Sequence, residues 1–550
     1  MGDGELILAS RSPRFGWSTL RLLLVVVGSA LFIYLMVSMT LVGRNGVVSN
    51  DLSSYLAPAV ALVRGTGAPY VNYFDVKPPG LVFFFVPWIA LFGWSMKSLV
   101  VLDMLLLAGD LALFFYLLRR VASPLLRDVV YGLAIAAAFG LQLFGAMFLL
   151  SETIGSFLFL LALAVALRFR SHPQAFLLVG ALCALSGQVK EVWFLTIVPF
   201  AVLALLNRPT NRSALACLAA GWVAMLGLLV GGLLAVGALG AYSDVLRYKA
   251  TAFPLPGLWA ASKGVVNTVG SESIALFLLW PIFPIAMGLS VYLRNRALGA
   301  GSALRELAGF KHSDVLVSFL TWACLVLGYV WQAKPVTGHS FVMLFFPFVF
   351  FTTAGLGYVR YALSNSRPPL RPLAWRGAGA LVIALSLIPS TAVLAGLGDR
   401  YQEIRASDQV SPLVTLESTA SLQKYAVMAS HLNGTGCLQV AYGWDAGAAY
   451  IYTETNPCSR HFLANLLTDD VVRAEFKRDI LTRPPDVIVY ETDMAGLDVQ
   501  SFEKTVFPYS AVLAQCYAAT DTPTVFVARR GPVEESRCIG DQLRLGGWGP

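Results

Sequence analysis

Few ionisable residues interrupt this apolar chain, and several are of types that can move a proton or hold a phosphate. Asp51 opens a polar stretch, SNDLSSYLAPAVALVRGTGAPYVNYFDVKPPG, that closes on Lys77 and a rigid Lys-Pro-Pro-Gly corner. Glu152 stands in LLSETI, Lys190 and Glu191 in GQVKEVW, Asp244, Arg247 and Lys249 in a later polar stretch, and Lys334 and His339 in VWQAKPVTGHS. Each has a plain account when taken singly. A Lys at a helix end snorkels to the interface, a carboxylate there caps the helix or pairs with the Lys, and a lone histidine is an interfacial polar group. Taken as a set on one side of an apolar bundle, at positions where charge is costly, they read as a site.

A reaction at a membrane surface between an anionic leaving group and a hydroxyl acceptor needs a base for the hydroxyl proton. It also needs cations for the developing phosphate charge. Asp51 is the candidate for the first role, either alone or with Glu152 by holding a divalent cation, Mg or Mn, through oxygen ligands. Lys77, Lys190, Arg247, Lys249 and His339 are the candidates for the second. Tyr55, Tyr70, Tyr73, Tyr242 and Tyr248, in the same stretches, are expected to shape the substrate. Apolar helices around these groups would hold a lipid tail, so a lipid-phosphate-linked sugar meets all three demands.

The elements that position them follow from hydropathy. The chain is 57% hydrophobic and only 13% charged, against roughly a quarter charged in soluble domains. The expected class is a polytopic α-helical membrane protein. Candidate spans are 22 to 43, 98 to 118, 128 to 149, 153 to 168, 174 to 189, 192 to 207, 214 to 240, 273 to 293, 314 to 332, 340 to 358 and 377 to 397, about eleven crossings at about 20 residues each. The first follows Arg11, Arg14 and Arg21 but is longer than a signal-peptide core and has no A-x-A site after it, so it reads as a retained helix. Arginines crowd alternate connections, including Arg119 with Arg120, Arg168 with Arg170, and Arg360 through Arg376. Those sides and the N-terminus are therefore expected in the cytoplasm. An odd number of crossings puts the C-terminal domain outside.

Two domains are expected: residues 1 to 397 in the membrane, with a first outer loop over 44 to 97, and residues 398 to 550 as an extracytoplasmic α/β domain. The loop reads as a helix starting near Asp51, a Gly-Thr-Gly turn, the proline corner, and a helix lying along the membrane surface. In the C-terminal domain CLQVAYG, DVIVYET, YSAVLAQCY and TVFVARR read as strands, and TASLQKYAVMASHL and DDVVRAEFKRDILT as helices. Of seven cysteines, Cys183, Cys217 and Cys324 lie in apolar spans. The other four, Cys437, Cys458, Cys516 and Cys538, fall where an oxidising compartment allows disulfides. Three pairings are open to them, and order along the chain favours Cys437 with Cys458 and Cys516 with Cys538. The net charge of +8 follows from the cytoplasmic loops. It points to anionic membrane lipids as partners rather than nucleic acid.

The stretch from Asp51 to the KPPG corner resembles the first outer loop of the GT-C glycosyltransferases, in the bacterial branch of aminoarabinose and galacturonic acid transferases and relatives of the protein O-mannosyltransferases. LSETIGSFLFLLAL is similar to the family's second acidic position, and SGQVKEVWFLTIVP to the segment where relatives place a Lys facing the lipid phosphate. VAYGWDAGAAYIYTETNPCSRHF resembles the start of the family's extracytoplasmic domain. The resemblance implies a GT-C fold with a polyprenyl-phosphate-linked sugar as donor and a lipid or glycan acceptor, in the cytoplasmic membrane of a bacterium. It makes Asp51 the acceptor-activating base or a metal-linked carboxylate, Glu152 its partner, and Lys77 and Lys190 the phosphate contacts. His339 resembles a His-Tyr segment leading into a late helix, here followed by Ser340.

The competing reading is a transporter or lipid-carrier flippase. It would place charges near helix midpoints and repeat the fold internally. Here the charges sit at helix ends, apart from Asp103 and Asp110, whose spacing of seven puts them on one helix face as polar glue within a bundle.

Overall fold

The computed structural model describes residues 50–121, 131, 149, 151–205, 211–252, 419–432, 436–442, 446–463, 466–467, 469–490 and 503–546. Their helices in chain order are α1 (Asn50–Arg64), α2 (Pro79–Phe92), α3 (Met96–Val121), α4 (Ser151–Arg168), α5 (Ala175–Val189), a 3-10 turn (Glu191–Thr196), α6 (Ile197–Leu205), α7 (Asn211–Ala235) and α8 (Leu239–Ala252). The C-terminal segment adds α9 (Thr419–Ser430), β1 (Leu438–Tyr442), α10 (Ala446–Thr453), α11 (Asp470–Thr482), β2 (Val487–Tyr490), α12 (Tyr509–Cys516), β3 (Tyr517–Ala519), β4 (Val525–Ala528) and α13 (Pro532–Leu545).

Three helices among the described residues are long and apolar enough to cross a membrane: Ser98–Arg119, Ser151–Arg168 and Arg212–Ala235. With the composition, they make the chain a polytopic helical membrane protein. The expected spans at 174 to 189 and 192 to 207 are shorter apolar helices, Ala175–Val189 and Glu191–Leu205. The remaining expected spans, and the boundary at 397, lie outside the described residues, save 131 and 149.

The chain divides into two compact units. One comprises Met1–Thr40, Val100–Gly227 and Leu255–Val410; the other Leu41–Leu99, Leu228–Pro254 and Ser411–Pro550. The first long loop, α8 and the C-terminal segment therefore share a unit.

Within the first unit, glycines let helix backbones approach closely. A Cβ at Gly180 of α5 would lie 2.0 Å from the Leu218 carbonyl oxygen of α7, and one at Gly221 would lie 1.9 Å from the Leu177 oxygen. Small residues at such crossings gain van der Waals contact that lipid cannot supply. Asp103 is buried in α3, where its Oδ1 accepts from the Leu149 amide at 3.0 Å. Asp110, two turns further along on the same face, is fully buried too.

In the second unit α1 is enclosed. Leu52, Leu56, Ala59 and Val60 recur at helical spacing and are all buried. Gly65 stops the helix in the left-handed region (φ 70°), its amide bonded to the Leu62 oxygen at 3.1 Å. Pro79 starts α2 at a position whose missing N–H is no loss, and Gly93 (φ 75°) ends it.

The C-terminal segment builds a four-stranded sheet in the order β1-β2-β4-β3. β1 and β2 run parallel, with Leu438 opposite Val487. β4 is antiparallel to both β2 and β3. Val440, Val487, Val489 and Val525 are buried with Phe476 and Ile480 of α11. Asp469 caps α11, accepting from the Val471 and Val472 amides at 2.7 and 3.1 Å. One expectation is corrected: YSAVLAQCY is not a strand. Tyr509–Cys516 is helical, and only Tyr517–Ala519 is extended. Ala511, Leu513, Ala514 and Gln515 are strong helix formers, and Val512, Leu513 and Cys516 bury one helical face. Disulfides join Cys437 to Cys458 and Cys516 to Cys538.

Candidate active site

Lys77 is brought back onto α1 by the chain between them. Its Nζ donates to Ser54 Oγ at 2.7 Å and lies 4.7 Å from the centre of the Tyr55 ring. Ser54 sits one helical turn along α1 from Asp51, which stands in that helix's first turn. The corner is held locally: the Lys77 amide donates to Asp75 Oδ1 at 3.2 Å, and its carbonyl accepts from the Tyr70 hydroxyl at 2.8 Å. Tyr70 takes a positive φ of 63° to make that bond, a conformation uncommon for a residue with a Cβ.

The tyrosines named from sequence build the frame of this loop. Tyr55 stacks on Phe85 at 5.6 Å, and Tyr70 packs on Tyr242 at 4.8 Å. The Tyr73 hydroxyl bonds Asn456 Oδ1 at 3.1 Å, and burial pushes that phenol well above the ordinary tyrosine range. Tyr248 donates to the Leu466 oxygen at 2.7 Å and packs edge-on against Phe74. Tyr55, Tyr70, Tyr73 and Tyr248 are buried, so any shaping they do is through the backbone they hold.

The C-terminal segment supports the same helix from behind. Arg64 at the end of α1 pairs with Glu454 at 2.8 Å and donates to the Ile451 oxygen at 3.2 Å. Gly447 of α10 lies so close to α1 that a Cβ there would come within 2.3 Å of the Ser53 carbonyl oxygen. Gly447→Ala must push α10 off α1 and is expected to destabilise the unit by about 1–3 kcal/mol. An unfolding midpoint equal to that of the wild type would contradict this contact.

The first unit carries its own charged pair. Glu152 occupies the first turn of α4, where the helix dipole favours a carboxylate. Lys190 caps the end of α5. The Lys190 ammonium meets Glu152 Oε1, and Ser151 Oγ donates to Oε2 at 2.7 Å. The side chains are only 18% and 3% exposed. Gly155, one turn after Glu152, admits Trp193, whose ring a Cβ there would strike at 2.2 Å. Trp193 in turn stacks on Phe159 at 5.5 Å, and Ser186 Oγ bonds the Gly155 oxygen at 3.1 Å. These contacts fix the two helix ends together.

The other named residues are placed as follows. Arg247 on α8 is 82% exposed and lies 3.8 Å from Asp244. Lys249 is half-buried on the same helix. His339 lies outside the described residues. Among the described residues no group of three or more His, Cys, Asp or Glu is gathered to hold a metal ion. Glu152 already faces a lysine ammonium, a setting that does not fit a dication at the same oxygen.

Sequence reasoning assigned no role to a second ionic cluster. Arg460 follows Cys458 in the NPCSRHF stretch. It pairs with Glu475 at 2.9 Å and with Asp244 at 3.5 Å, and its carbonyl accepts from the Phe74 amide at 2.7 Å. His461 is buried, with Nε2 3.2 Å from Glu475 and its ring 4.6 Å from that of Phe74. The charge density of SRHF was the available clue. His461 first, then Arg460, hold the Glu475 carboxyl down at about 2. A depressed carboxylate adds stability above its unfolded value near 4.5, and that stability is lost as pH falls toward 2. Thermal unfolding of Glu475→Gln is therefore expected to lack part of the wild-type decline across that window. Identical pH slopes would contradict the contact.

The fold and site define a helical membrane protein with an apolar bundle, a loop holding acid and lysine near each other in sequence, and an α/β segment packed behind that loop. No protein-family model matches the chain, and no curated protein matches it in sequence. Among solved structures it is similar to the archaeal oligosaccharyltransferase AglB from Archaeoglobus fulgidus, in complex with an inhibitory peptide and a dolichol-phosphate. That match has 12% identity over 94% of this chain and 75% of that one, with a TM-score of 0.49. It is also similar to ArnT from Cupriavidus metallidurans, at 15% identity over 94% of this chain and 99% of that one, TM-score 0.49.

Proposed function

We propose that this chain is a glycosyltransferase. It moves a sugar from a polyprenyl-phosphate donor to a hydroxyl of a lipid, glycan or polymer of the cell envelope, at the outer face of the cytoplasmic membrane. The observation that carries the reading is the return of the Lys77 ammonium onto α1 at Ser54, which brings a candidate phosphate contact to the helix whose first turn contains the candidate base Asp51. The likeness of this loop to that of the GT-C enzymes supports the same assignment.

In this reading Asp51 takes the proton of the acceptor hydroxyl. The oxygen attacks the anomeric carbon from the face opposite the phosphate, the bond from that carbon to the phosphate oxygen breaks, and the sugar inverts. In this proposal Lys77 and Lys190 are the contacts for the negative charge left on the polyprenyl phosphate, and Arg247, Lys249 and His339 are further candidates for that role. Glu152 fixes the Lys190 ammonium in place.

Lys77→Ala removes a charge-assisted contact worth roughly 1.5–3 kcal/mol. Donor affinity is expected to fall by about tenfold or more, read by titrating a synthetic polyprenyl-phosphate sugar into the purified chain. Unchanged donor affinity would remove Lys77 from the phosphate site.

A further inference from the structure

A cavity of about 410 Å³ opens in the second unit, lined in part by Asn72 of the first loop, Asp244 of α8, and Arg460, Glu475, Asp479 and Arg483 of the C-terminal segment. None of these carries a role in the transfer step. We propose that this cavity is a binding subsite for carbohydrate, the hydroxyl-rich part of the acceptor. The word acceptor rests on the glycosyltransferase reading; sugar binding itself does not.

The chemistry of the lining selects the ligand. Three acidic residues, two arginines and an asparagine are among the lining residues, so the lining combines hydrogen-bond donors and acceptors with one negative charge in excess. A sugar hydroxyl both donates and accepts and matches such a wall. A lipid tail would strand these charges, and a phosphate would meet the excess negative charge. A dication needs carboxylates gathered around one point, and no such group occurs among the described residues.

The wall is also preorganised, which lowers the entropy lost on binding. Arg460 is fixed by Glu475 and Asp244, and Asp479 accepts from Ser459 Oγ at 2.9 Å. The volume lies at the low end for small-molecule pockets and suits on the order of one or two sugar rings.

Saturation-transfer NMR on the full chain in lipid nanodiscs tests this, with free hexoses, hexosamines, pentoses and uronic acids as probes. At least one sugar is expected to receive saturation from the wild type. Arg483→Ala and Asp244→Asn should weaken it by about tenfold, and Ala241→Trp, which fills the cavity without removing a charge, should abolish it. Asp51→Asn should leave it intact, separating this site from the transfer step. If Ala241→Trp fails to fold, the exposed Arg483→Ala decides. Saturation of none of the probes, or a signal indifferent to these variants, overturns the proposal. Sugar binding of the expected pattern in a chain that transfers nothing would sink the glycosyltransferase reading alone.

Discussion

Asp51→Asn is expected to lower sugar transfer by roughly 10²–10⁴-fold, the range for removing a general base, while donor affinity stays near that of the wild type. Asparagine keeps the size of the side chain and a hydrogen-bonding oxygen but cannot take up a proton. The helix that carries it is held by other residues. Leu52, Tyr55 and Leu56 of α1 are buried, and Gly447 packs against the helix backbone at Ser53. The loss should therefore appear in the chemical step, measured as single-turnover product formation with the donor saturating. Turnover retained within a few-fold would take Asp51 out of the base role.

Lys190→Ala is expected to destabilise the chain by roughly 3–5 kcal/mol, because it leaves the buried Glu152 carboxylate without its cation. Removing both charges together, as Glu152→Gln with Lys190→Met, should recover most of that loss. An unpaired charge costs more at a buried site than no charge. A double-mutant cycle from denaturant unfolding in detergent isolates the coupling. Additive effects would mean that the two side chains do not meet. The cycle also bears on mechanism, since a Lys190 released from Glu152 would no longer be held in one position for a phosphate.

Much of the local structure could be read from residue patterns. The helix from Asn50, the turn at Gly65 and the helix opening on Pro79 follow from cap, glycine and proline chemistry that acts over a few residues. β1, β2 and β4 announced themselves by runs of valine and aromatic side chains. The segment at Tyr509 misled because its apolar content suits either state, and the alanines and leucine that decide it were outweighed by flanking tyrosines. α10 and α13 drew no assignment: α10 is short and rich in small residues, while α13 is rich in charge and polar over much of its surface.

The site divides along the same line. Placing Glu152 and Lys190 at helix ends needed only hydropathy, but their pairing did not follow, since Glu191 was the nearer carboxylate in sequence. The packing of the first loop with the C-terminal segment rests on contacts such as Arg64 with Glu454, 390 residues apart, and Phe74 with Arg460. Pairs at that separation leave no periodic trace in the chain. Burial of the framing tyrosines was hidden for the same reason, because their partners come from distant segments.

The central claim is that this chain transfers a sugar from a lipid phosphate. Mass analysis of envelope lipids and glycans tests it most directly, comparing cells with the gene, without it, and with the Asp51→Asn form. The account predicts that one envelope component loses a sugar's mass in the second and third strains, while the sugar-charged polyprenyl phosphate accumulates. Envelope profiles that are identical in all three, or restored in full by Asp51→Asn, would contradict it.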